Sequence, residues 1–87
     1  MPQISRFFGI VIYMYAKDHL PPHFHAIYND EEAQIEIATG QILKGELNKR
    51  ALKLVQEWAE MHKEELLKNF EEAQKPFPQF KQIKPLD

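Results

Sequence analysis

The segment Asp18-His19-Leu20-Pro21-Pro22-His23-Phe24-His25 carries three imidazoles and a carboxylate in a short stretch of chain. Imidazole is the side chain that changes charge nearest to neutral pH, and its neutral form is the commonest metal ligand. His23 and His25 are two residues apart, so on a strand they share one face. Asp18 and His19 reach the same area from the preceding turn. Pro21 and Pro22 stiffen that turn by fixing φ and forcing extended backbone before each ring. Three chemistries fit these residue types. His19, His23 and His25 could ligate a divalent cation such as zinc. Alternatively His23 and His25 serve as acid and base, Asp18 and Glu36 orient them, and Arg6 binds a phosphate. In the third reading the histidines cap the Pro-Pro turn, bond the sheet edge or contact a partner. An H-x-H spacing is common and does not choose among the three.

The rest of the chain narrows the field. It has no cysteine, which removes disulfides, zinc–thiolate sites and thiol nucleophiles together. There is no Gly-rich phosphate loop, nucleophile elbow or dinucleotide fingerprint. Eleven Lys+Arg stand against thirteen Asp+Glu, a balance that argues against a polyanion binder held by charge alone but leaves room for a small RNA-contacting site. His62 falls in the apolar stripe of a helix and reads as a core histidine bonded to one partner. Tyr13 and Tyr15 read as sheet packing, and Arg6 as the partner of a phosphate or a surface carboxylate.

The elements that must position the histidines can be read from periodicity. Phe7 to Ala16 is apolar on both faces and reads as one central strand. His23 to Tyr28, Ala33 to Ala38 and Gln41 to Leu47 follow as strands. A four-residue loop Asn29–Glu32 sets Tyr28 against Ala33, Ala26 against Ile35 and Phe24 against Ile37, all on one face. A loop Ala38-Thr39-Gly40 with a left-handed glycine adds Leu43, Gly45 and Leu47 to that face. His23 and His25 then lie on the opposite face with Gln34 and Glu36, and His25 stands directly opposite Glu36. Asn48 is a good helix N-cap. Leu52, Val55, Ala59, Leu66 and Phe70 recur at helical spacing, widened by Trp58 and Met61, with a bend or second helix near Lys63. The expected fold is α+β: a four-stranded antiparallel meander packed on one face by a C-terminal helix or helix pair.

At 87 residues the chain is one small domain. We assign residues 1–74 to the α+β domain and 75–87 to a proline-rich extended tail. Phe77, Phe80, Ile83 and Leu86 recur every third residue, the period of a polyproline II helix, and would line one side of it. Such a stripe is expected to dock, either on the chain's own core or on a second copy or partner. No apolar run approaches the roughly 20 residues of a membrane span, and no signal peptide starts the chain. A cytoplasmic protein with no membrane role is expected.

At D-H-L-P-P-H-F-H the chain resembles the bacterial family catalogued as domain of unknown function 4160. The resemblance runs from Ile4-Ser5-Arg6-Phe7 through Asp18 to His25, then Gly45-Glu46-Leu47, the Trp58-bearing helix and Lys84-Pro85-Leu86. It implies a frequent gene neighbour, domain of unknown function 2442, in a pair similar to a toxin–antitoxin module. This chain would be the toxin-like member, with a small antitoxin-like partner protein, and RNA is a target that its histidine face could act on. The alternative is a non-enzymatic module in which the histidine box holds a metal or a partner.

Overall fold

The computed structural model describes residues 2–87. It contains five strands and two helices: β1 (Gln3–Phe7), β2 (Ile10–Tyr13), β3 (His23–Tyr28), β4 (Glu31–Glu36), β5 (Ile42–Gly45), α1 (Lys49–Met61) and α2 (Lys63–Ala73). The strands form one sheet in the order β1-β2-β3-β4-β5, each antiparallel to the next. The α+β meander is therefore as expected, with one strand more. The extra strand is β1, most of which precedes the apolar run that begins at Phe7. Phe8 and Gly9 both have positive φ, 50° and 79°, which makes the two-residue turn that favours hairpins. Pairing of Phe7 with Ile10 closes it.

The second hairpin is tighter than expected. Asn29 takes the left-handed conformation (φ 55°), which asparagine tolerates. The loop thus needs only Asn29 and Asp30, and Tyr28 pairs with Glu31, Ala26 with Ala33 and Phe24 with Ile35. Each partner moves by two residues. A two-residue slip preserves the face of every side chain, so the core face survives while the pairing of the histidines changes. Between β4 and β5 the register shifts at Gln34/Ile35, and Ile35 faces Ile42. That bulge turns Ile42 toward the core and leaves Leu43 42% exposed, the reverse of the expected arrangement. Gly45 does face Ala33.

The core unites the inner face of the sheet with both helices. Ile10, Ile12, Phe24, Ala26, Ile35 and Ile37 meet Ala51, Val55, Trp58 and Ala59 of α1 and Leu66 and Phe70 of α2. Trp58 is the centre of this contact, with ring centroids 5.3 Å from Phe7 and 5.9 Å from Phe24. Met61 is 65% exposed and does not widen the stripe. Asn48 caps α1 by accepting from the backbone N–H groups of Arg50 and Ala51. The helical path breaks at His62, which ends α1 and precedes α2. Its Nδ1 lies 2.7 Å from the Glu65 carboxylate.

Residues 75–87 are non-helical, and the segment lies against the chain's own core. Ile83 is buried, with Phe80 and Leu86 packed beside it. The Ile83 N–H donates to the Ile4 carbonyl (2.8 Å), and the Trp58 indole donates to the Lys84 carbonyl (2.8 Å). Asn69 of α2 makes two bonds to the Lys81 backbone, each 2.9 Å. Phe77 stays outside at 87% exposure. No helix among the described residues is long and apolar enough to cross a membrane.

Candidate functional site

Strand alternation buries Phe24 and Ala26 in the core and turns His23 and His25 to the other face, as the sequence pattern requires. That face is not open. The connection from β2 to β3 folds back over it and is pinned to the end of α2: the Lys17 N–H donates to the Ala73 carbonyl (2.7 Å), and the Gln74 side chain donates to the Asp18 carbonyl (3.1 Å). With the Phe70 ring of α2 also against that of His23, 5.9 Å between centroids, His23 and His25 are 1% and 3% exposed.

The fold brings Asp18, His23 and His25 together. One carboxylate oxygen of Asp18, Oδ2, lies 3.0 Å from His23 Nε2 and 2.8 Å from His25 Nε2. Burial by itself raises the Asp18 carboxyl. The hydrogen bond from His25, the charge on His23 and the His19 backbone N–H outweigh it and hold the group below the ordinary carboxylate value. Asp18 is therefore an anion facing two imidazoles.

The far sides of the two rings are also constrained. His23 Nδ1 lies 2.8 Å from the Pro21 carbonyl oxygen. A carbonyl only accepts, so Nδ1 carries the proton and Nε2 of a neutral ring is a bare lone pair. In a neutral ring that lone pair would face the Asp18 anion, 3.0 Å away, and the geometry gives His23 Nε2 no hydrogen bond. The second buried nitrogen without a partner is His25 Nδ1, 3.6 Å from Glu32 Oε2. Glu32 in turn accepts from the Tyr13 hydroxyl. Burial, and next the bond to Glu32, push the Tyr13 phenol well above its ordinary value, so it remains a donor. Tyr13 is fully buried, is paired with His25 across β2 and β3, and stacks on its ring at 5.0 Å. Tyr15 meets the same ring edge-on at 4.7 Å.

The remaining candidates sit apart from this cluster. His19 is on the covering loop with a side chain 71% exposed; its ring centroid is 5.1 Å from that of His23, and its Nε2 is 3.9 Å from Asp18 Oδ1. Glu36 pairs with His23 rather than with His25, and its carboxylate accepts from Thr39. Arg6 is exposed on β1, opposite Val11. Among the described residues, no hydrogen bond or ion pair joins Arg6 to an imidazole. The sequence reading missed Tyr13 and Glu32 as members of the site. Strand alternation puts Val11 and Tyr13 on one face, but a run apolar on both faces gives no sign of which face meets the histidines. Glu32 was placed in a loop and is instead in β4.

Asp18, His23 and His25 are placed so that they could hold a metal ion. Each offers one ligand atom, and these atoms lie within 4.8 Å of one another. The other nitrogen of each ring faces a carbonyl or a carboxylate, the usual outer partner of a ligating histidine. Residues 9–71 match the model of the family described as domain of unknown function (DUF4160), and the chain belongs to that family. No curated protein and no solved structure shows a significant match to it.

Proposed function

We propose that this member of the DUF4160 family is a divalent-metal-binding protein, with Asp18, His23 and His25 as ligands and Glu32, Tyr13 and the Pro21 carbonyl as the groups that orient them. One observation carries the reading: among the described residues, the two buried imidazole nitrogens that lack a hydrogen bond are His23 Nε2 and His25 Nδ1. Additional positive charge between His23 Nε2 and Asp18, whether a proton or a metal, removes the conflict at His23. A metal resolves both rings at once. Coordinated through Nε2, His25 carries its proton on Nδ1 and donates it toward Glu32, while His23 keeps its proton on Nδ1 for Pro21. Zinc suits a set of two imidazoles and a carboxylate.

The acid–base reading on RNA, which comes with the toxin-like role implied by the family resemblance, has less support. His23 and His25 are closed off from a polynucleotide, Glu36 bonds Thr39, and Arg6 lies on a different strand. Glu32 adds a carboxylate beside the rings. An acidic, aromatic surround favours a cation over a phosphodiester.

Chelator-treated protein titrated with zinc tests the reading. We expect one ion per chain. At a hundredfold excess over Kd the stabilisation is about 2.7 kcal/mol, which shifts the melting temperature of a domain this small by roughly 10–20 °C. His23→Gln and His25→Gln should abolish both binding and shift. Protein that neither retains zinc nor another divalent ion, nor melts differently in its presence, would sink the proposal. The toxin-like role is tested separately, by growth and total RNA after induction of wild type and of the His23→Ala/His25→Ala double variant.

A further inference from the structure

The three buried ligands leave one question open on which the nature of the site depends: what fills the fourth position. A structural zinc centre is closed by a fourth protein ligand, whereas a catalytic one keeps that position for water or substrate. Resting on the metal reading above, we infer that His19 is the fourth ligand. On this inference the centre is a closed structural clamp that ties the β2–β3 connection to the sheet, not a hydrolytic site.

Access to the cluster supports this. The side chains of His23 and His25 are 0% and 4% exposed and that of Asp18 is 14% exposed, so solvent meets the cluster on the Asp18 side. His19 stands there. It directly follows Asp18, its ring lies against that of His23, and its Nε2 is 3.9 Å from the second oxygen of Asp18. The electronic state of its ring also fits. His19 Nδ1 is 3.2 Å from the Leu20 carbonyl, which places a proton on Nδ1 and makes Nε2 the nitrogen left to coordinate. His23 is prepared in the same way by Pro21, one residue further on. His19 in the loop and His23 at the start of β3 thus each set a backbone carbonyl against Nδ1 and keep Nε2 for coordination.

His19 lies outside the group of ligand atoms within 4.8 Å of one another, so its ring must turn toward the cluster to ligate. His19 is exposed, so its ring can rotate about its own side-chain bonds without displacing any core group. The loop that carries it is already ordered by Pro21 and Pro22, by the Lys17–Ala73 bond and by the Gln74–Asp18 bond, which lowers the entropy lost on closure. Closure buries the one imidazole of the box that is otherwise left in water. It also leaves no coordination position for a substrate.

Cobalt substitution and zinc affinity of the full chain test the inference. Wild type loaded with Co²⁺ should show the intense visible absorption of a four-coordinate site. His19→Ala changes an exposed residue and should keep the wild-type circular dichroism. Its zinc affinity should fall by at least the roughly 10–100-fold that loss of even an outer-shell partner costs. Its cobalt spectrum should weaken to that of a site with added water, and free imidazole should restore the strong bands. A His19→Ala protein with wild-type affinity and wild-type cobalt spectrum overturns the inference and leaves the three-ligand site standing. A wild type that binds neither ion removes the metal reading and this inference together. His23→Ala serves as the internal control for lost binding.

Discussion

At the residue scale the chemistry turns on which ring nitrogen holds a proton. The Pro21 carbonyl fixes a proton on His23 Nδ1, and His23 Nε2 lies 3.0 Å from Asp18 Oδ2. The folded state holds the Asp18 carboxyl below its unfolded value of about 3.9. A depressed carboxylate contributes stability that is fully present above the unfolded value and is lost as pH falls through the lower, folded one. In metal-free protein the acid limb of stability should therefore be steeper for wild type than for Asp18→Asn below about pH 4. Urea unfolding of both proteins across that range checks it, and parallel acid limbs would count against an ionised Asp18 at the centre of the cluster.

At the element scale, backbone conformation selects the hairpins that carry the ligands. Gly45 ends β5 at φ +83°, and a Cβ there would stand 2.2 Å from the Glu32 carbonyl oxygen. Only glycine fits, since the left-handed backbone alone costs a larger residue roughly 1–3 kcal/mol and the contact with β4 adds to it. We expect Gly45→Ala to destabilise by more than that range, and to weaken zinc binding as well. The carbonyl it would strike belongs to Glu32, whose side chain faces His25 and takes the Tyr13 hydroxyl. Denaturant midpoints together with a zinc titration measure both effects. A variant with wild-type stability would show that β5 can peel from β4 without cost. Asn29 does for β3–β4 what the glycines do elsewhere: by accepting a left-handed φ it shortens the loop and brings Glu31 and Glu32 into the sheet. Glu31 then accepts from the Asn48 N–H at 2.7 Å, joining the sheet to the start of α1.

At the scale of the whole molecule, an 87-residue chain has little core to spare, and the proline-rich end completes it. Ile83 is buried, Phe80 and Leu86 pack on the cluster, and the Trp58 indole, the Asn69 amide and the Ile4 carbonyl all find partners in residues 81–84. Removing residues 76–87 deletes an apolar side chain worth roughly 2–5 kcal/mol. It also strips buried polar groups whose orphaning costs about 1–3 kcal/mol each. Against the roughly 5–15 kcal/mol of a typical domain, that loss should abolish cooperative unfolding, as followed by tryptophan fluorescence and calorimetry. A truncated chain that melts within a few degrees of the full one, while losing self-association or a partner, would place the stripe at an interface instead.

Much of this architecture was legible from local patterns, because strand alternation and helical spacing are properties of neighbouring residues. The face shared by Phe24, Ala26, Ile35 and Ile37, the opposite face of His23 and His25, the cap at Asn48 and the halt near Lys63 all follow from periods of two or 3.6. A two-residue slip keeps the period, so the faces of β3 and β4 came through although their pairing did not, whereas the bulge between β4 and β5 reversed the face of Leu43. The turns were harder to place. Phe8-Gly9 splits an apolar run and Asn29-Asp30 shortens a polar one, and in both cases a positive φ at a residue other than glycine decided the loop length. The gathering of the site lay beyond any local pattern. Asp18 reaches His25 because the β2–β3 connection is tied to the end of α2, through Lys17 to Ala73 and Gln74 to Asp18. Those partners are more than fifty residues apart, as Lys17 and Ala73 show. The residue types at the box announce metal or proton chemistry; which of them converge, and that the face they occupy is buried, is set by contacts that only the folded chain makes.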